Sequence, residues 1–139
     1  MANKSKVKVV LSQFPLETHN RGLIAVAGML RDAGMEVVLM GNALPAAIVE
    51  VASQEAADVI GISTYCGGEV ALSKQLFKAA EKKGIKDQTV FLIGGIFPPI
   101  DIPKLKKMGY SGTFLSATKE EIVSCVEKSM AELRQKSHS

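Results

Sequence analysis

One histidine, His19, stands in the stretch "LETHNRG", Leu16 to Gly22, with Glu17 two residues before it. A ligating imidazole commonly gives its second N–H to a carboxylate, which fixes the tautomer and raises the basicity of the ligating nitrogen. A Glu-x-His spacing in a loop permits that contact. A protein-only zinc site wants three or four N, S or O ligands, and the only other histidine is His138 in the terminal "RQKSHS". Three readings stay open: a polar turn residue, a base, or a ligand to a metal carried inside a cofactor. Cys66 puts a thiol in a second loop, "STYCGG". No orienting group or oxyanion hole accompanies it, which favours a small loop residue over a nucleophile.

The elements that must position these residues are legible as alternating patterns. Five apolar, β-branched runs of strand length are bounded by turn residues: "VKVVLS" (7–12), "EVVLM" (36–40), "DVIGIS" (58–63), "TVFLIG" (89–94) and "GTFLS" (112–116). Their nearly continuous apolar character suits strands buried on both faces, as in a parallel sheet. Helical stripes lie between them: Leu23, Val26, Ala27 and Leu30 before the glycine of "DAG"; Leu72, Leu76, Ala79 and Ala80 before Gly84; Ile122, Val126, Met130 and Leu133 in the last segment. Thr118 and Glu121 have the spacing of a capping box, and Asp101 is a candidate N-cap for a short helix with Pro103 in its first turn.

Right-handed crossovers turn the order βαβαβαβαβα into an α/β doubly wound, five-stranded parallel sheet of order 2-1-3-4-5. Residues 1–134 form the domain and 135–139 a disordered tail. Ligands of such sheets bind outside the carboxyl ends of the strands, at the switch point between the first and third. Three loops converge there. "QFPLETHNRG" is long for a βα connection. "STYCGG", with Gly67 and Gly68, lets a ligand approach closely, and "GGIFPP" removes side chains at Gly94 and Gly95.

Several function classes are excluded. Of the residues, 47% are apolar and 5% aromatic without tryptophan, so the core is aliphatic. The net charge of +3 is spread over lysine groups without interleaved aromatics, which argues against nucleic acid. No run approaches a membrane span and no signal-peptide core is present, so the chain reads as soluble. Two cysteines without metal or disulfide spacing fit a cytoplasmic protein. Dinucleotide and phosphate-loop motifs are absent. A phosphoacceptor receiver domain has this strand pattern, but its clustered acids and terminal lysine are missing from "SQFP", "ISTY" and "FLSA".

Taken in order, the loops resemble the cobalamin-binding domain of adenosylcobalamin-dependent mutases, whose signature is DxHxxG, then SxL, then GG. The chain reads Glu17-Thr18-His19-Asn20-Arg21-Gly22, then Ser63-Thr64-Tyr65 after 40 intervening residues, then Gly94-Gly95 after 28 more. "RDAGMEVV" and "GGIFPPIDIPKLKKMG" are most similar to acyl-CoA mutases of the methylmalonyl-CoA and hydroxyisobutyryl-CoA kind. The resemblance implies a flavodoxin-like fold and a cobalamin held base-off, with His19 as lower axial ligand to cobalt. It implies a nucleotide tail threaded beside Ser63, Tyr65, Gly67, Gly94 and Gly95, with Phe114 and Thr118 near it and Gly22 opening the first helix by the corrin.

Departures from the pattern are Glu17 for Asp, Tyr65 for Leu, Asn20 for a frequent Asp and Ile24 for a frequent Lys. A substrate-binding TIM barrel needs about 250 residues, so the resemblance implies a small subunit in a hetero-oligomer with a large TIM-barrel mutase subunit. A non-catalytic corrinoid carrier or sensor, and a cofactor-free flavodoxin-like interaction domain, are the alternatives.

Overall fold

The computed structural model describes residues 6–15, 21–65, 68–115 and 117–137. Strands and helices alternate as β1 (Lys8–Gln13), α1 (Arg21–Asp32), β2 (Glu36–Asn42), α2 (Pro45–Gln54), β3 (Val59–Thr64), α3 (Glu69–Lys83), β4 (Val90–Gly95), α4 (Ile102–Met108), β5 (Tyr110–Phe114) and α5 (Lys119–Ser137). The strands form one parallel sheet of order β2-β1-β3-β4-β5, the topology expected from the sequence.

Every residue of the central β3 is buried, as its unbroken apolar run demands. β2 is mostly half-buried or exposed despite a similar composition, because it is an edge strand with one neighbour. β5 begins at Tyr110, two residues ahead of the expected strand. The Tyr110 hydroxyl is buried and shares a 2.8 Å hydrogen bond with Ser73 of α3. Burial pushes its pKa well above the ordinary tyrosine value.

Two cores flank the sheet. One packs α2, α3 and α4 through Ile48, Leu76, Phe77 and Leu105. There Phe77 meets Phe91 with ring centroids 4.5 Å apart and Tyr110 edge-on at 4.9 Å. The other packs α1 and α5 through Leu23, Ala27, Leu30, Ile122, Val126 and Met130. The α1 stripe lies where its period puts it. The buried stripe of α3 is Ser73, Leu76, Phe77 and Ala80, rotated from the expected one so that Leu72 and Ala79 are only partly covered. The Phe77 ring, packed against two other rings, sets that rotation.

The end of β1 is fastened by β2. Ser12 donates to the Gly41 carbonyl at 2.9 Å, Asn42 donates to the Phe14 carbonyl at 3.1 Å, and the Ala43 N–H donates to Gln13 at 2.9 Å. These bonds fix the point at which the chain leaves the sheet toward residues 16–20.

Two capping expectations came out differently. Asp101 adopts helical dihedrals at the end of a 3₁₀ turn, Pro99–Asp101, and makes no side-chain cap bond to α4. Thr118 does cap α5. Its hydroxyl accepts from the Glu121 N–H at 3.2 Å, and its own N–H donates to the Glu121 carboxylate at 2.8 Å. α5 continues to Ser137, into the segment expected to be a tail. Thr118→Ala should therefore lower stability by about 1 kcal/mol. The check is a lower urea midpoint at unchanged m-value; an unshifted midpoint would deny the cap its role.

Candidate functional site

Residues in register across a parallel sheet share a face, and two such rows explain the site. Leu11, Gly61, Leu92 and Gly112 form one row across β1, β3, β4 and β5; Gln13, Ser63, Gly94 and Phe114 form the next, nearer the carboxyl ends. Both face α1 and α5. Gly61 and Gly112 in the first row and Ser63 and Gly94 in the second are small, so the sheet is low at those points. A Cβ on Gly61 would come within 2.7 Å of Leu11 Cδ2, and one on Gly94 within 3.3 Å of the Phe114 carbonyl oxygen. Between the low middle of the sheet, Leu23, Val26 and Leu30 of α1, and Ile122 of α5 lies a half-open cavity of about 170 Å³.

The upper end of the cavity is shaped by two close approaches. Gly95 has φ 136°, a conformation L side chains rarely adopt, and a Cβ there would fall on the Thr64 carbonyl, which also accepts from the Ile96 N–H at 3.1 Å. Gly22, the second residue of α1, lies under the Tyr65 side chain: a Cβ at position 22 would be 2.9 Å from the Tyr65 hydroxyl oxygen. Among the described residues lining the cavity, only Ser63 and Tyr65 have polar side chains. An apolar slot with few, placed hydroxyls suits a flat, weakly polar group.

Of the residues singled out from the sequence, the fold gathers Gly22, Ser63, Tyr65, Gly94, Gly95 and Phe114 around this one cavity. Arg21 opens α1 with its side chain exposed and is not on the lining. Thr118 is not on the lining either, and its hydroxyl is committed to capping α5. Glu17, Thr18, His19, Asn20, Cys66 and Gly67 lie outside the described residues. Gly61 and Leu11 were not singled out. The available signal was a glycine in the middle of a strand, which marks a close approach of another group.

A sequence profile of the B12 binding domain matches residues 7–122, from the start of β1 to the first turn of α5. The chain belongs to the B12-binding domain family. It is 32% identical over 122 residues to the 2-hydroxyisobutanoyl-CoA mutase small subunit of Aquincola tertiaricarbonis, covering 87% of this chain and 89% of that protein. It is 36% identical over 138 residues to the pivalyl-CoA mutase small subunit of Xanthobacter autotrophicus, covering 94% and 91%. A cobalamin-binding protein from Desulfitobacterium hafniense superposes with TM-score 0.74 at 20% identity, over 87% of this chain and 58% of that one, which establishes the shared fold.

On the opposite face of the sheet, this B12-binding domain buries a second polar group near its carboxyl edge. Glu69, the first residue of α3, is only 4% exposed, and among the described residues neither its Oε1 nor the buried Thr64 Oγ1 has a hydrogen-bond partner. Burial pushes the Glu69 carboxyl above its ordinary pKa, and the neighbouring Asp101 side chain pushes it the same way. The unfolded chain then releases the carboxyl proton near pH 4.3 while the folded chain retains it. Stability from this site is complete below that pH and is lost as pH rises through the folded value. Glu69→Gln should remove that loss. The stability difference between variant and wild type should grow from about pH 4 upward in urea titrations, and a difference independent of pH would contradict the raised carboxyl.

Proposed function

We propose that this chain is the cobalamin-binding small subunit of a coenzyme-B12-dependent acyl-CoA mutase, with His19 as the lower axial ligand of a base-off adenosylcobalamin. The observation that carries the reading is the cavity between the sheet and helices α1 and α5. Ser63, Gly94 and Phe114 stand in one register row at its upper end, the row where the SxL and GG elements of the family motif fall. The cavity's apolar walls fit the flat base of a displaced nucleotide tail, and Ser63 offers a hydroxyl to its polar part. The two relatives spanned almost end to end are both named small subunits of acyl-CoA mutases.

Within this reading the chain's own residues bind and orient. Segment 16–20 follows the fastened exit of β1 and precedes α1, so His19 belongs to the connection at the switch point. When bound, the cofactor supplies the homolytic cobalt–carbon chemistry, while the protein supplies position and exclusion of water.

Exposed large apolar side chains gather around the same end of the molecule. Ile24 in the first turn of α1, Leu44 after β2, Ile96 and Ile100 after β4 and Leu115 after β5 all stand at the carboxyl side of the sheet. Such a rim marks a surface that is covered in the assembly. A large TIM-barrel subunit, closing over the corrin from the other side, is the partner this reading requires. Among the described residues no helix is long and apolar enough to cross a membrane, in keeping with a cytoplasmic assembly.

The test uses the purified chain titrated with cobalamin and reduced to the cobalt(II) state. Electron paramagnetic resonance should report an axial nitrogen whose splitting pattern changes when the protein alone carries heavy nitrogen, and His19→Ala should abolish it. Splitting indifferent to the protein label would overturn the ligand assignment.

A further inference from the structure

Tyr65 is the first residue beyond β3 and continues the odd-numbered side of that strand, above Gly61 and Ser63, so its ring projects toward α1 and lines the cavity. The ring does not stop at the sheet. Its hydroxyl lies 2.9 Å, and its Cζ 3.9 Å, from where a Cβ of Gly22 would be. The side chain thus reaches from the end of β3 to the first turn of α1, with its hydroxyl against backbone that carries no side chain. Leu23, Val26, Leu30, Gly61 and Leu92 line the same cavity.

We infer that Tyr65 is a specificity-determining residue of the cavity, one that discriminates among corrinoids by the bulk of the nucleotide tail. The inference rests on the cobalamin-binding reading and adds a residue-level selector to it. A tyrosine has few rotatable bonds, and one held between two elements gives way only by moving as a whole ring. A benzimidazole-sized base that enters the cavity must make room for itself against this ring, which is part of the lining. A corrinoid with no tail makes no such demand. The ring opposes bulky tails through its size.

Isothermal titration of the full chain with cobalamin, and with cobinamide, which has the same corrin ring and no nucleotide, separates the possibilities. Tyr65→Leu should tighten cobalamin binding about tenfold relative to wild type, the magnitude of one or two methylenes' worth of space in an apolar pocket, and leave cobinamide within about twofold. Tyr65→Phe, which keeps the ring, should not tighten cobalamin binding as Tyr65→Leu does. Circular dichroism and a urea midpoint on each variant confirm that it folds.

Cobalamin affinity that is unchanged, or weaker, in folded Tyr65→Leu would overturn the selector. So would a Tyr65→Phe variant that behaves as Tyr65→Leu, since the hydroxyl rather than the ring would then decide. Wild-type protein that binds neither ligand would overturn the cobalamin-binding reading itself, and the selector with it. If Tyr65→Leu does not fold, Tyr65→Met replaces it, with the same expected rise for cobalamin alone.

Discussion

The carboxyl edge of this sheet depends on glycines that leave the face toward α1 and α5 without side chains, above all Gly61 in one row and Gly94 in the next. In a parallel sheet the register fixes which residues stand beside one another, so a glycine at the middle of a row lowers the floor for every helix packed above it. Leu11 leans over Gly61 and the Phe114 backbone closes over Gly94, yet a space of about 170 Å³ remains. At roughly 24 cal/mol per Å³, an enclosed apolar cavity of this size would cost at most about 4 kcal/mol. That is a large share of the 5–15 kcal/mol by which domains are stable. A fold that keeps such a space gains stability from whatever fills it, by linkage to the native state.

The two ends of the sheet are finished differently. At the amino edge, the Lys8 N–H donates to the Asp58 carboxylate at 2.9 Å and the Lys8 ammonium pairs with Glu55 at 2.8 Å. These groups are at home in water and do little beyond closing the chain ends. At the carboxyl edge the loops carry large apolar side chains into solvent, Ile96 and Ile100 at 66% and 77% exposure. The order of strands makes the carboxyl edge the binding side. The residues there are those of a surface meant to be covered, so topology and composition agree.

Much of the fold was legible because doubly buried strands leave unbroken apolar runs, and β1, β3 and β4 have them. β5 was harder. Its run "YSGTF" contains Gly112, which reads as a turn signal but is required where it stands, since a Cβ there would come within 2.8 Å of both Cys125 Sγ and the Phe114 ring. The rotation of α3 depended on three rings meeting from three elements, α3, β4 and β5, which a single-helix period does not encode. At the site, Ser63, Gly94 and Gly95 were found through order and spacing, because strand ends and switch-point topology translate directly into proximity. Gly61 was not found, since only the register shows that it shares a row with Leu11 and Leu92. Thr118 fits both a motif position and a helix cap in sequence, and hydrogen bonding assigns it to the cap.

Gly22 shows why a glycine in a motif has to be explained anew in each chain. Its place in the first turn of α1 suggests a helix opened close to a large ring, and that reason would hold whatever stood at position 65. Here a second reason is present, because the Tyr65 hydroxyl occupies the volume a Cβ would need. An alanine at position 22, ordinarily favoured over glycine by about 1 kcal/mol in a helix, would have to displace that ring. The propensity of α1 and the placement of a side chain on β3 are thereby coupled through one missing methyl group. The substitution of tyrosine for the usual leucine is compatible with the fold because position 22 carries none.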